Sequence, residues 1–203
     1  FISTSIAISS DDSALANDDG TTNANIAIGI NSMRDVTTGI ENVAIGTRAL
    51  DTTNGGRSVA IGFNAAKYAT GSSNVAIGDT ALVGNYPTSG TGSHNVGIGF
   101  EPGYNLTTGQ YNFLGGYQAG KAMTTGSTNT LLGKGAGDAI TTGSNNVIIG
   151  DYAGTTALAD TVAIYAGTTE RMKIDSTGLT VNGAAVGGAT TLISTTKITS
   201  ATS

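Results

Sequence analysis

Apolar and polar positions alternate in short bursts that recur along most of this chain. The clearest burst is Asn42-Val43-Ala44-Ile45-Gly46, and it returns as Asn25-Ile26-Ala27-Ile28-Gly29, Ser58-Val59-Ala60-Ile61-Gly62, Asn74-Val75-Ala76-Ile77-Gly78 and Asn95-Val96-Gly97-Ile98-Gly99. It continues with drift from Asn112, Asn129 and Asn146, and successive starts lie 17, 16, 16, 21, 17, 17 and 17 residues apart. Alternation with a period of two over a few residues is the pattern of a short strand with one face buried. Self-similarity at a fixed short spacing means that each repeat is one structural unit stacked on the next. The pattern therefore predicts an all-β chain, a parallel β-solenoid or β-roll of about eight coils of 16–17 residues.

Within a coil, a second short apolar piece sits between glycines, as at Ala122-Met123-Thr124 and Ala139-Ile140-Thr141. It predicts a second strand, with a Gly turn and a Thr-Gly turn joining the two. Val43, Val59, Val75 and Val147 are expected in one column and Ile45, Ile61, Ile77 and Ile149 in another, both on the inward face. Asn25, Asn42, Asn74, Asn95, Asn112, Asn129 and Asn146 open their coils, and amides stacked at one spacing are expected to form a structural hydrogen-bonded ladder. The position two residues on is Ala27, Ala44, Ala60, Ala76 and Gly97, then Leu114, Leu131 and Ile148. A column that is small early and bulky late reads as one facing an axis whose packing changes along a fibre. Three or four aliphatic side chains per coil are few against the entropy of ordering some seventeen residues. The remaining burial is expected to come from other copies of the chain, in a parallel homotrimer.

The chain divides into an N-terminal degenerate coil and connection (1–24), the solenoid repeats (25–165), and a C-terminal β-hairpin and linker segment (166–203). The coil from Asn74 carries four extra residues, and insertions in solenoids map to surface loops. Asn85, Tyr86 and Pro87 within it are the candidate receptor-binding residues, Tyr being a good recognition anchor. After Asp160 the period ends, and the segments around Asp175-Ser176-Thr177-Gly178 read as two strands and a turn.

Composition narrows the chemistry. The 203 residues include 31 Gly, no Cys, one His and only 11% charged residues, with a formal charge of −5. Nine scattered Lys and Arg make no basic patch for nucleic acid, and no apolar run is long enough to span a bilayer. No cysteine is present to hold a disulfide or a thiolate-bound metal. Asp11-Asp12 and Asp18-Asp19-Gly20 read as solvated acidic turns, so neither a metal nor any other cofactor is expected. A Ser-His-Asp site could use only His94, and the carboxylates Asp79, Asp151 and Glu101 fall in different coils or columns. The chain is expected not to be an enzyme. It does not begin with Met and is expected to be part of a longer polypeptide.

The Asn-Val-Ala-Ile-Gly units resemble the head repeats of trimeric autotransporter adhesins (YadA-like), which form left-handed β-rolls assembled as trimers. The longer form, Thr-Thr-Gly-Ser-x-Asn-x-x-x-Gly-x-x-Ala-Gly at residues 124–137 and 141–154, resembles repeats of phage tail fibres. The stretch from Gly167 through Glu170-Arg171-Met172-Lys173-Ile174 to Gly178 is similar to the segment that precedes the endosialidase-type intramolecular chaperone of such fibres. The resemblance implies a structural and host-receptor-binding segment of a bacteriophage tail fibre, located on the virion. Its implied partners are two further copies of itself, other tail proteins, and a bacterial surface glycan or outer-membrane receptor. Two other readings stay open: an autotransporter adhesin head on the bacterial outer surface, and a polysaccharide-cleaving tailspike.

Overall fold

Each repeat carries a three-residue strand that ends at a glycine in a conformation closed to L side chains, so every coil must turn at the same place. The computed structural model describes residues 5–11, 13–17, 23–52, 54–84, 90 and 92–182. The strands are β1 (Ile6–Ile8), β2 (Ile26–Ile28), β3 (Val43–Ile45), β4 (Val59–Ile61), β5 (Val75–Ile77), β6 (Val96–Ile98), β7 (Phe113–Gly115), β8 (Thr130–Leu132), β9 (Val147–Ile149), β10 (Val162–Ala166), β11 (Thr169–Asp175) and β12 (Gly178–Val181). They form one sheet in sequence order. From β1 to β10 every neighbouring pair is parallel, giving a solenoid of about nine turns. At ~4.8 Å per coil the stack rises on the order of 40 Å. β11 pairs antiparallel with β10 and β12 antiparallel with β11.

The pairing keeps each column in register: Val43, Val59 and Val75 are partners, as are Ile45, Ile61 and Ile77. These columns face outward, contrary to the expectation from the alternation. The Val residues are half-buried, while Ile61 and Ile149 are 37% and 43% exposed. The fully buried column is the one between them: Ala27, Ala44, Ala60, Ala76, Leu114, Leu131, Ile148 and Ala163. This column faces the interior of the chain's own roll, so it is not a site where other copies meet.

The ladder fixes that parity. Asn25, Asn42, Asn74, Asn95, Asn112, Asn129 and Asn146 are all buried. Each side-chain oxygen accepts the backbone N–H of the next coil's ladder residue, as from Asn95 to Asn74 at 2.8 Å and from Asn146 to Asn129 at 3.0 Å. Each amide NH₂ donates to the carbonyl three residues before that same residue, as from Asn42 to Gly55 at 2.9 Å and from Asn112 to Gly126 at 2.9 Å. Ser58 serves in place of Asn, accepting from Asn74 N through Oγ at 3.2 Å. Ser5 begins the run and Thr161, donating to Asn146, ends it. A buried amide is stable only with its hydrogen bonds made. Facing inward puts the Asn beside those partners, and the residue two places on must face inward with it.

The expected second strand does not occur among the described residues of the coils. In the coils from Asn25 to Asn129 the far side is a turn with two left-handed residues, such as Asn31 and Met33, Arg48 and Leu50, or Thr80 and Leu82. It still stacks through backbone bonds, including Met33 N to Ala49 O and Leu50 N to Ala65 O. The second left-handed position is Met33, Leu50, Ala66 and Leu82 in early coils, large in all but Ala66, and Gly103, Gly120 and Gly137 in later ones. Across the interior, Ala27, Ala44 and Ala76 face the large residues, Ala60 faces Ala66, and Leu114 and Leu131 face glycines. A Cβ on Gly137 would stand 2.6 Å from Leu131 Cδ1, and one on Gly103 2.7 Å from Leu114 Cδ1. The shift from Ala to Leu along the strand column is thus a volume exchange inside one roll.

A second glycine column ends each strand, with φ near +130° at Gly29, Gly46, Gly78 and Gly99. A Cβ on Gly29 would lie 2.8 Å from the carbonyl oxygen of Gly46 in the next coil. These glycines permit the coils to stack at strand spacing.

Two predictions follow from the interior. Leu131→Ala should cost about 2–5 kcal/mol by leaving a cavity, and Gly137→Leu should cost at least ~1–3 kcal/mol by overpacking. Together they recreate the Ala76–Leu82 arrangement, so the double variant should recover most of the loss in urea denaturation. Simple additivity of the two costs would contradict volume exchange. Asn129→Ala should cost on the order of 3 kcal/mol because it orphans buried donors and acceptors. Asn129→Ser should cost clearly less, as Ser58 already keeps the ladder connected, and equal losses would show that ladder hydrogen bonding is not what the position supplies.

Candidate functional site

Stacking at a fixed spacing turns any position of the repeat into a line of side chains on the surface. Nine residues after each ladder residue stand Arg34, Asp51 and Lys67, and ten residues after stand Asp35, Thr52 and Tyr68. Backbone bonds hold these rungs together, with Asp35 N donating to Asp51 O at 2.8 Å and Thr52 N to Lys67 O at 3.1 Å. Arg48, from the first left-handed position of its coil, completes an open cleft of about 400 Å³ lined by these seven residues.

Charge in this cleft is distributed unevenly. Arg34 donates to both oxygens of Asp35, at 3.1 and 2.7 Å, and Asn17 donates to Asp35 at 3.0 Å. Asp51 is only 2% exposed; its Oδ1 has Arg34 Nε at 3.4 Å but no hydrogen-bond donor. Arg48 and Lys67 make no ion pair among the described residues. Lys67 Nζ lies 4.6 Å from the centre of the Tyr68 ring. The Arg34 hydrogen bonds hold Asp35 below the usual carboxylate range. Burial pushes Asp51 above it, against the opposing pull of Arg34.

Aromatic rings form a second surface feature. His94 stacks on Tyr111 at 5.0 Å and Phe100 on Tyr117 at 5.3 Å, close to one rung of spacing. Phe63, Tyr111 and Phe113 are also exposed. Tyr152 stacks on Tyr165 at 4.6 Å, and burial, together with the hydrogen bond Tyr165 donates to Glu170, raises the Tyr165 phenol to about 12.

The candidate receptor-binding residues Asn85, Tyr86 and Pro87 lie outside the described residues. The insertion departs from Gly84, whose backbone packs against Tyr68 at the edge of the cleft. Glu101 accepts from Lys121 at 2.6 Å and from Gln118 at 2.8 Å, which ties it to the next coil. Asp138 and Asp151 flank the same Gly135; burial, then Asp151, raise Asp138. No group of three or more His, Cys, Asp or Glu that could hold a metal occurs among the described residues. Likewise, no helix is long and apolar enough to cross a membrane.

Sequence reasoning missed the cleft. Its members share no motif, and the available signal was a charge alternating in sign, Arg34, Asp51, Lys67, at one offset from the ladder. Compared with protein-family models, curated proteins and solved structures, the chain matches none.

Asp51 gives a pH prediction. Its raised folded-state pKa means that the folded chain binds this proton more tightly than the unfolded one. The cost of the buried charge is therefore absent below the ordinary Asp value and grows as pH rises through the folded value. Asp51→Asn should melt higher than the parent at pH 7, with the gap closing towards pH 4. A gap that stays constant across that range in thermal melts would show that the Asp51 charge is not responsible.

Proposed function

We propose that this chain is a non-enzymatic segment of a homotrimeric attachment fibre of the phage tail type, binding a bacterial surface. One observation carries the reading: two outward apolar columns run unbroken by charge along the sheet. They include Ile28, Val43, Ile45, Val59, Ile61, Val75, Ile77, Ile98, Phe113 and Ile149. Ile98, Phe113 and Ile149 are each about 40% exposed in the single chain. Monomeric soluble proteins rarely leave so extended an apolar surface open. Parallel packing of identical stacks under cyclic symmetry covers it in every copy equally and turns it away from foreign strands and surfaces. The repeat resemblance supports three as the number of copies. The sheet face, with its Val and Ile columns, replaces the Ala and Leu column as the surface turned to the other copies.

A rod of stacked coils transmits force through backbone hydrogen bonds at every rung and offers long side-chain columns to a cell surface, which suits attachment. Glu101, Asp35 and Asp175 are each held by a neighbouring cation, which leaves them poor acids or bases and supports the non-enzymatic reading.

Light scattering should report about 60 kDa, three times the 20.1 kDa chain. Ile61→Lys with Ile98→Lys should yield a folded monomer with its β circular dichroism intact, whereas Leu131→Asp should unfold the roll from within. The labelled parent should bind intact cells of at least one strain in a bacterial panel, and the double variant should not. A parent that is monomeric at micromolar concentration, or that binds no strain, would refute the proposal.

A further inference from the structure

We propose that the cleft between Arg34, Arg48, Asp51, Lys67 and Tyr68 is a binding site for one acidic sugar residue, a hydroxylated monocarboxylate of the hexuronate kind. The site deepens the attachment reading by naming a ligand class, but it is built within one chain and does not need the trimer.

The argument starts from what each group in the cleft lacks. Arg34 is already engaged, by Asp35 through two hydrogen bonds and by Asp51 Oδ1 at 3.4 Å without a hydrogen bond. Arg48 and Lys67 have no carboxylate partner among the described residues, so the cleft holds two cations available to an anion. Asp51 presents the opposite need. It is buried, it lines the cleft, and its Oδ1 has no hydrogen-bond donor. A buried acceptor without a donor is costly, and an incoming hydroxyl would relieve it.

A ligand that satisfies both must carry an anion at one end and hydroxyl donors close by. A carboxylate can pair with Arg48 and Lys67 while a ring hydroxyl donates to Asp51, with Tyr68 supplying an apolar wall. A bare polyanion fits poorly. Asp35 and Asp51 would repel a multiply charged phosphate, and the chain's formal charge of −5 works against polyphosphate backbones. A neutral sugar would leave both cations unused. The volume of about 400 Å³ is ample for one hexuronate and falls within the usual range for small-molecule sites.

Titration calorimetry at low salt with trigalacturonate, maltotriose, acetate and inorganic phosphate tests this. Trigalacturonate, which offers one carboxylate and ring hydroxyls on each residue, should bind measurably and the other three at least tenfold more weakly, because maltotriose lacks the anion, acetate lacks the hydroxyls, and phosphate has neither a carboxylate nor ring hydroxyls. Arg48→Gln, at an exposed side chain, and Lys67→Gln, at a half-buried one, should each lower trigalacturonate affinity roughly tenfold or more with unchanged melting temperature. Asp51→Asn, which keeps an acceptor but loses the charge, should weaken it less than either. The proposal is overturned if trigalacturonate does not bind, if phosphate or acetate binds as well, or if the Gln variants bind like the parent. The mass measurement decides the trimer reading separately, so failure of one leaves the other standing.

Discussion

The Asn side chain buried between successive coils is the interaction on which the rest of this structure depends. Its oxygen takes the N–H of the next coil's ladder residue and its NH₂ reaches the carbonyl three residues earlier, as for Asn129 with Asn146 and Gly143. Two bonds from one side chain fix both the height and the rotation of the next coil. Strands of only three residues could otherwise slip, since register is weakly specified in short segments. With the amide facing inward, parity sends the neighbouring Val and Ile outward and the small residue in. A largely apolar pair is thus turned outward on most coils, half-buried or exposed, because a polar group is buried, which inverts the usual ordering of inside and outside.

Much of this was legible in the repeat. The parallel stack, the columns and the ladder residues follow from spacing alone, because a fixed period leaves little choice of pairing partner. Which face points inward did not follow. In Val43-Ala44-Ile45 both parities are apolar, and hydrophobicity favours burying Val and Ile. What decides against it is the hydrogen-bonding requirement of Asn42, a residue that hydropathy counts as exterior. The second strand was misread for a related reason. Ala122-Met123 is apolar and its Met is buried, but glycine in later coils at the second left-handed position was the sign of a turn, and Met33 and Leu50 adopt the same positive φ in earlier coils. The cleft was invisible because it unites positions six, nine and ten of three different coils, none of them unusual alone.

The core also shows how a narrow roll accommodates drift. In most coils its cross-section holds one large side chain between the strand position and the facing left-handed position, supplied from either side, while Ala60 with Ala66 and Gly97 with Gly103 are small on both sides. Leu82 reaches towards the strand in the coil of Ala76, and a Cβ on Gly97 in the following coil would meet it at 2.7 Å. From Leu114 onward the strand supplies the bulk and the turn becomes Gly. A left-handed Leu or Met carries a backbone cost of about 1–2 kcal/mol that Gly does not, so the later coils reach the same packing with less strain. The crossover falls at Gly97 and Gly103, the one coil where both facing positions are glycine, with Leu82 and Leu114 filling the space from either side.

A stack held by backbone and ladder bonds separates stability from surface chemistry. The residues that hold one coil on the next are Asn, Gly and the buried Ala or Leu, and they recur with little variation. The cleft residues stand at the corners of the coils, Arg34 and Lys67 half-buried and Asp51 buried, at a position that is Val83, Tyr104 and Lys121 further along. Exchange at that position leaves the rung hydrogen bonds untouched, since those use the main chain. Binding chemistry can therefore change coil by coil at small cost to the fold, and a charged cleft can occupy three neighbouring coils while the others keep aromatic or apolar surfaces. The same separation explains why a site of this kind has no sequence motif: the repeat constrains what lies inside each coil and leaves its corners free.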